Sequence, residues 1–353
     1  MNRWAQENVF FRRLIMTVIV VAAALLIWNT LHIFLLIFLG IILAVFLRKS
    51  GLWFSSMARI PEGLGISMVI IALGLCAVAA ITFMAPQIVA QVGELSRLIP
   101  SSWQQLKQSV SHDPLGGWFI QNLPSLQGVS GVLGGLMHQA TAWLYSAFGL
   151  VTSAVIIVIL GIFFAFDANL YVQGIAGLFP SEKRKGILTT LQGLGSTLYW
   201  WLLGRLISMV IIGLMTVLGL WLLGIPLVLT LGTFAAVMTF IPNLGPIISV
   251  IPAALLALQV GWAESASVVG LYAGIQVVES NLVTPFVQKR MVAIPPGLIL
   301  SAQIVMGVLQ GALGILIATP LTGSLMVLTK QLYIQDVLGE DPKPSSAPPR
   351  NRK

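Results

Sequence analysis

The stretch FIPNLGPIISVIP, residues 240–252, interrupts an apolar run with prolines, a glycine and an amide side chain. Pro242 and Pro246 have no backbone N–H, so a helix cannot pass through them with all of its hydrogen bonds intact. Gly245 precedes the second proline, and Asn243 places an amide at the tip of the break. We predict that exposed backbone carbonyls and this amide can bind a ligand; the alternative is a proline kink used for packing alone.

A second polar group lies in VVESNLVTPF, residues 277–286, where Glu279 stands within an apolar run. Asn281 follows it closely, and Pro285 comes near the end of the stretch. If this run crosses a membrane, an ionisable side chain costs ~2.5–3.5 kcal/mol there, which makes Glu279 a functional candidate. Arg205 is a candidate partner if it lies deeper than the start of its own apolar run. The alternative is a protonated Glu279 that hydrogen-bonds between helices.

The composition indicates whether these groups lie in a membrane or in a soluble domain. Of 353 residues, 57% are apolar and 8% are charged, whereas soluble domains have roughly 45–50% apolar and 25% charged residues. Several apolar runs approach the ~20 residues that a helix needs to cross a bilayer, and they lack the alternation of barrel strands. We predict an all-α, polytopic integral membrane protein in contact with membrane lipid.

Charge and motifs narrow the class of protein. The net charge of +8 fits membrane topology and contact with anionic lipid, so no nucleic-acid partner is predicted. The single cysteine, Cys76, allows no disulfide framework, and His32, His112 and His138 lack the spacing of metal ligands. Nucleophile-elbow, Walker and dinucleotide-binding motifs do not occur in the sequence. We predict no enzyme activity, no cofactor and no metal site.

Eight apolar segments follow one another along the chain. They are 14–31, 33–47, 66–85, 146–166, 205–224, 227–260, 264–288 and 297–329. Lys and Arg cluster beside them at positions 12–13, 48–49, 183–185 and 289–290 and in the tail. By the positive-inside tendency, these clusters and both termini lie in the cytoplasm. Residues 86–145 carry few basic side chains and are expected on the outside.

The segment 227–260 conflicts with this alternation if it crosses the membrane fully. The basic pair Lys289 and Arg290 returns to the inside only if the segment enters and leaves by the same face. Two arms, 227–241 and 246–260, would then form a re-entrant hairpin around the proline break that enters and leaves on the outer face. Each arm has about 15 residues, which is short for a complete span.

The segment 297–329 has the same character. It is interrupted by Gly307, Gly311, Gly314 and Pro320, which predicts a second hairpin that enters from the inside. The complete prediction is six full crossings and two re-entrant helical hairpins of opposite orientation. Two glycine pairs also have the G-x-x-x-G spacing that permits close helix packing: Gly307 with Gly311, and Gly270 with Gly274.

Four regions follow from these segments. Residues 1–85 hold the N-terminal transmembrane segments, and residues 86–145 form an extracytoplasmic amphipathic helical region; the alternative is a periplasmic cap with its own small core. Residues 146–330 form the transmembrane transport core. Residues 331–353 are a cytoplasmic tail that is disordered at its end, because it is rich in proline, serine and charge.

The order of several stretches resembles a known family. These are FFAFD (163–167), LLGRLISMVIIGLMTVLGLWLLGIP (202–226), FIPNLGPIISVIPAALLAL (240–258), VVESNLVTPF (277–286) and IPPGLILSAQIVMGVLQGALGILIATPL (294–321). The chain resembles the autoinducer-2 exporter family of bacterial membrane transporters over nearly its whole length. The resemblance implies a multi-pass inner-membrane protein with about eight hydrophobic segments. Members are linked to export of the signalling molecule autoinducer-2, and some to sodium/proton antiport.

The resemblance also carries the family's signature onto positions of this chain. These are Pro242, Gly245, Pro246, Glu279, Pro285, Gly311, Gly314 and Pro320. One position departs from the family pattern, because Arg205 stands where a polar uncharged residue is expected. A fixed positive charge that faces the pathway would favour anionic solutes and argue against cation antiport.

The combined prediction is a bacterial inner-membrane secondary transporter or exporter of a small polar solute. The predicted pathway residues are Pro242, Asn243, Gly245, Pro246, Glu279, Asn281 and Arg205. The predicted hinge and packing residues are Pro285, Gly307, Gly311, Gly314 and Pro320. The alternatives are a sodium/proton antiporter of the same fold and a non-transporting membrane scaffold or assembly protein. The sequence leaves open the solute, the direction, a coupling ion and the presence of a homo-oligomer.

Overall fold

A computed structural model describes residues 3–80, 82, 86, 151–283, 285 and 294–335. The predicted outer region after residue 86, both histidines within it, the basic pair at 289–290 and the tail after residue 335 lie outside the described residues. Within the described residues, every regular element is helical. The all-α prediction is therefore confirmed.

Nine α-helices and two short π-helices make up this structure in the described parts of the chain. The α-helices are α1 (Arg3–Ala58), α2 (Glu62–Ala80), α3 (Val151–Phe166), α4 (Ala168–Gly177), α5 (Ser181–Leu222), α6 (Val228–Met238), α7 (Leu244–Leu258), α8 (Trp262–Val278) and α9 (Pro296–Leu328). The π-helices, Glu279–Val283 and Thr329–Gln335, continue α8 and α9 respectively.

Length and apolar character identify membrane-spanning helices. Among the described residues, four segments suffice to cross a bilayer: Thr30–Ala58 of α1, α2, α5 and Pro296–Tyr333. A fifth span is formed if α3 and α4, which are bent by 77° at their junction, act together. The polytopic membrane architecture is therefore confirmed, whereas six crossings with two re-entrant hairpins stay a prediction.

The first two apolar runs differ from the expectation. The sequence predicts separate segments at 14–31 and 33–47, but α1 continues through both as one helix of 56 residues. The junction, WNTLHIF, holds neither proline nor glycine. Because nothing in it removes a backbone donor or favours a left-handed residue, the helix has no reason to end there.

The chain breaks at FIPNLGP, as the prolines predict, and two short helices pack on either side. α6 has 11 residues and α7 has 15, and the two helices are in contact. Asn243 takes a positive φ of 65° directly before α7 begins. A Cβ added at Gly245 would collide with the carbonyl oxygen of Met238, so only glycine allows the two arms to approach so closely.

A second reversal lies inside α9. Gly311 has φ 62° and ψ −142°, which breaks the helix into two arms. A Cβ added at Gly314 would collide with the carbonyl oxygen of Met306, and one at Gly307 would lie 3.0 Å from Ile315. Residues eight apart in a straight helix are ~12 Å apart, so these contacts require the chain to fold back at Gly311.

Among the described residues, the largest buried cluster lies between α5, the first hairpin and α8. It contains Leu220, Ile225, Leu231, Ala235, Ala253, Leu256, Ala257, Val268 and Tyr272. This packing holds the ends of α6 and α7 that lie away from the FIPNLGP break. The break itself is held by other contacts. The Gly270 and Gly274 pair differs from the packing prediction: among the described residues, an added Cβ at either position meets no atom within 4 Å.

Candidate functional site

The broken backbone of the first hairpin meets the second hairpin. Gln303, in the first arm of α9, donates a hydrogen bond from Nε2 to the carbonyl oxygen of Pro242 at 3.2 Å. The Gln303 side chain is 1% exposed, and its Oε1 has no hydrogen-bond partner among the described residues. The Pro242 carbonyl, which also accepts a hydrogen bond from the Leu244 N–H at 2.7 Å within the break, therefore binds an amide from another hairpin. The Oε1 atom of that amide stays available to a further donor.

The tip of the break combines a buried and an exposed part. Pro242 and Gly245 are buried, and Pro246 is half-buried. Asn243 is exposed at the start of α7, with no side-chain hydrogen bond to the helix end. The backbone N–H groups of the first turn of a helix have no partners within it and carry a partial positive charge. In α7, however, the Leu244 and Gly245 N–H groups bond to the Pro242 and Ile241 carbonyls, and Pro246 has no N–H. The exposed Asn243 amide therefore presents polar groups beside the contact between the hairpins.

An aromatic contact supports the other side of the break. The ring of Phe240 packs edge-on against Trp201 of α5, with 5.4 Å between centroids and an interplanar angle of 88°. Trp201 is buried in a cluster with Ile42 of α1 and Leu198 of α5. This cluster holds the residue two positions before Pro242 against a long, well-packed helix.

A buried ion pair lies one helical turn further along α5. The Nη1 atom of Arg205 is 3.8 Å from Oε1 of Glu279. Gln276 donates a hydrogen bond from Nε2 to the other carboxylate oxygen, Oε2, at 3.0 Å. Arg205 and Glu279 side chains are 20% and 8% exposed. The partner that the sequence left open is therefore Arg205, which reaches Glu279 because α5 begins at Ser181, well before its apolar run.

The α5 helix brings the two parts of the site together. Trp201 contacts the first hairpin and Arg205 contacts Glu279. These residues are four positions apart, so their Cβ atoms lie about 5–6 Å apart on one helix face. Glu279 is also the first residue of a π-helix, a widened turn that occurs often at functional sites.

The comparisons with known proteins agree with this architecture. The family model described as "AI-2E family transporter" matches residues 14–334. The chain belongs to this family. It is similar to "Putative transport protein MT0215" of Mycobacterium tuberculosis, with 27% identity over 86% of this chain and 84% of the relative. It is also similar to two Bacillus subtilis proteins, "Putative transport protein YueF" (26% identity, 74% of both chains) and "Putative transport protein YrrI" (30% identity). The match to YrrI spans about half of either protein, 46% of each.

Not every predicted site residue of this AI-2E family transporter joins the buried contacts. Asn281 is exposed and donates hydrogen bonds to the carbonyl oxygen of Val277 at 2.8 Å and to the hydroxyl of Ser280 at 3.3 Å. Its side chain therefore stabilises the local turn. Pro285 is described, but the residues on both sides of it are not, so its hinge role stays a prediction.

The glycines and the proline of the second hairpin position the Gln303 arm. Gly307, Gly311 and Gly314 lie at the reversal described above, and Pro320 is buried inside the second arm. Sequence reasoning missed Gln303 itself. An uncharged amide inside an apolar run, on the first arm of a predicted hairpin, is the signal that could have found it.

Proposed function

We propose that this AI-2E family transporter is a secondary transporter that exports a small polar solute along a pathway between its two hairpins. The observation that carries the proposal is the hydrogen bond from Gln303 to the Pro242 carbonyl. The same buried side chain carries Oε1, which has no hydrogen-bond partner among the described residues, at the meeting point of two broken helices. Transporters use such broken helices to present backbone groups to a solute.

In this proposal, the solute exchanges partners with the hairpin contact. The Oε1 atom of Gln303, which has no partner among the described residues, accepts a hydrogen bond from the solute, while the Asn243 amide binds the solute's acceptor groups. When the hairpins separate, the Pro242 carbonyl keeps its hydrogen bond from the Leu244 N–H, and the acceptor position that Gln303 occupied becomes available to the solute. The clusters around Trp201 and Leu256 hold the first hairpin against α5 and α8, so in this proposal the arm that carries Gln303 moves away from it.

The ion pair bears on the charge of the solute. Arg205 alone would favour an anionic solute, but Glu279 lies 3.8 Å from its guanidinium. The pair has no net charge, so the argument for an anion from Arg205 is weakened. We propose that the pair holds α5 against α8 in one conformation and that a neutral, hydrogen-bonding solute is transported. We also propose that the protein lies in the bacterial inner membrane with both termini in the cytoplasm.

Transport of autoinducer-2 by everted membrane vesicles tests the proposal. Wild-type vesicles should accumulate the solute, and Gln303→Met and Asn243→Ala should reduce accumulation at least tenfold. The matched control is Gln173→Met, which changes an exposed glutamine on α4 and should transport normally. Accumulation by both pathway variants at the wild-type rate would remove the hairpin contact from the mechanism. If the wild type transports no autoinducer-2, extracellular metabolite profiles of cells with and without the protein should identify another polar solute.

A sodium/proton antiporter of the same fold is a second candidate, favoured by the buried Glu279 carboxylate. It predicts a sodium-dependent pH change in everted vesicles that is lost in Glu279→Gln. An uncoupled exporter shows no such change. A membrane scaffold predicts neither solute transport nor a sodium-dependent pH change in liposomes that contain the purified protein alone.

A further inference from the structure

The helix α4 leaves the membrane-spanning direction abruptly. α3 is apolar along its length, and α4 follows it at an angle of 77° across a single residue, Asp167. Arg48 of α1 donates hydrogen bonds from Nη1 to the carbonyl oxygens of Ala165 at 2.9 Å and Phe166 at 3.3 Å. Because Arg48 ends an apolar run of α1, this contact places the start of α4 at the boundary of the membrane.

The side chains of α4 divide into an apolar and a polar face. At about 100° per residue, Tyr171, Ile175 and the C-cap residue Leu178, which keeps helical backbone angles, fall within one arc of the helix. Asn169 and Gln173 fall on the opposite side. Tyr171, Ile175 and Leu178 are exposed, Leu178 with 84% of its surface. A helix that lies across the end of a membrane span with an exposed apolar arc is suited to the interface between headgroups and acyl chains.

A basic cluster follows directly. The first residues of α5 read SEKRK, and Lys183, Arg184 and Lys185 are all exposed. Arg184 donates a hydrogen bond from Nε to the carbonyl oxygen of Phe179 at 3.2 Å. This bond holds the guanidinium next to the last apolar residues that follow α4. Together with the neighbouring Glu182, the three basic residues carry a net charge of +2.

We propose that α4 and the basic cluster Lys183–Lys185 form a binding surface for anionic phospholipid. The apolar arc enters the interfacial layer, and the three basic side chains contact the lipid phosphates. Charge complementarity favours anionic lipid as the occupant, since an apolar partner protein would offer no negative charge to the three exposed cations beside the arc. The surface is distinct from the Gln303 contact and does not depend on the transported solute.

The depth of α4 in a bilayer gives the first test. Cys76 is the only cysteine of the chain, so Cys76→Ser provides a background for nitroxide labels at Ile175→Cys and, as the matched control on the other face, Gln173→Cys. The full-length protein is reconstituted in vesicles of phosphatidylglycerol and phosphatidylcholine. The label at 175 should be more accessible to oxygen than to a water-soluble nickel complex, and the label at 173 should show the reverse. Equal, water-like accessibility at both positions would overturn the proposal.

Lipid binding to the purified protein gives the second test. Phosphatidylglycerol and phosphatidylcholine retained by the intact protein are quantified by native mass spectrometry. Each basic residue near an anionic surface contributes roughly fivefold in affinity, so K183Q, R184Q and K185Q together should weaken phosphatidylglycerol binding by up to about 100-fold. Glu182→Gln should strengthen it, and phosphatidylcholine binding should be unchanged in both variants. Wild-type phosphatidylglycerol binding by the triple variant, or an equal loss for both lipids, would contradict the inference.

Discussion

Removing one partner of the Arg205–Glu279 pair should destabilise the protein more than removing both. The two charges lie 3.8 Å apart, which corresponds to an attraction of about 4 kcal/mol at an effective dielectric constant of 20. Loss of one partner leaves the other charge buried, which costs about 3–5 kcal/mol. Replacing both with neutral groups of similar volume removes the attraction and the desolvation cost together, so it is often close to neutral.

The two single variants should differ in size of effect. Arg205→Met leaves the Glu279 carboxylate, whose side chain is 8% exposed, with only the hydrogen bond from Gln276. Glu279→Gln leaves the Arg205 guanidinium, which is 20% exposed and has a longer, flexible side chain. We therefore expect about 4 kcal/mol of destabilisation for Arg205→Met and about 3 kcal/mol for Glu279→Gln. The double variant should lose about 1 kcal/mol or less.

Reversible unfolding in mixed detergent and dodecyl sulfate micelles, followed by circular dichroism, measures these free energies. The double-mutant cycle should give a coupling energy of several kcal/mol. A double variant whose destabilisation equals the sum of the two single variants would show that the charges do not interact. It would also remove the pair as the contact that holds α5 against α8.

Three further outcomes follow from the hairpins. Gln303→Met should lower the free energy of unfolding by about 0.5–1.5 kcal/mol, because it removes the hydrogen bond between the hairpins while the Leu244 N–H stays bonded to the Pro242 carbonyl; no loss in the same unfolding assay would mean that water replaces the amide. Gly314→Ala should destabilise by about 1–3 kcal/mol through its collision with the Met306 carbonyl, whereas Gly270→Ala, which has open space, should change stability by less than about 0.5 kcal/mol. Trp262→Cys in a background lacking Cys76 should react with an impermeant thiol reagent added outside intact cells, and protection of residue 262 would refute the predicted orientation of the first hairpin.

Local chemistry made the breaks predictable from the sequence. A proline removes a backbone donor and a glycine permits positive φ wherever the chain goes afterwards. The interruptions at Pro242 and at Gly311 occur at such residues, although Pro252 and Pro320 lie inside α7 and α9 without ending them. The helix α1 continues unbroken across WNTLHIF, where such residues are missing. The angle between α3 and α4 was not predicted, because FFAFDAN contains neither proline nor glycine.

Contacts between residues that are far apart in the sequence could not be predicted in this way. Gln303 and Pro242 are 61 residues apart, and no local pattern links an amide in one hairpin with a carbonyl in another. Glu279 was singled out because an ionisable group in an apolar run is costly. Its partner stayed open, because the position of Arg205 depends on how far α5 extends before its apolar part begins.

Apolar composition, run lengths and helix-breaking residues determined by themselves that this is an all-α membrane protein with interrupted helices, since each acts through its immediate solvent or its own backbone. The tertiary structure alone decided which polar groups meet: Gln303 with the Pro242 carbonyl, Arg205 with Glu279, and Trp201 with Phe240. Such contacts depend on how α5 packs against α8 and both hairpins, and packing depends on the shapes of all these surfaces together.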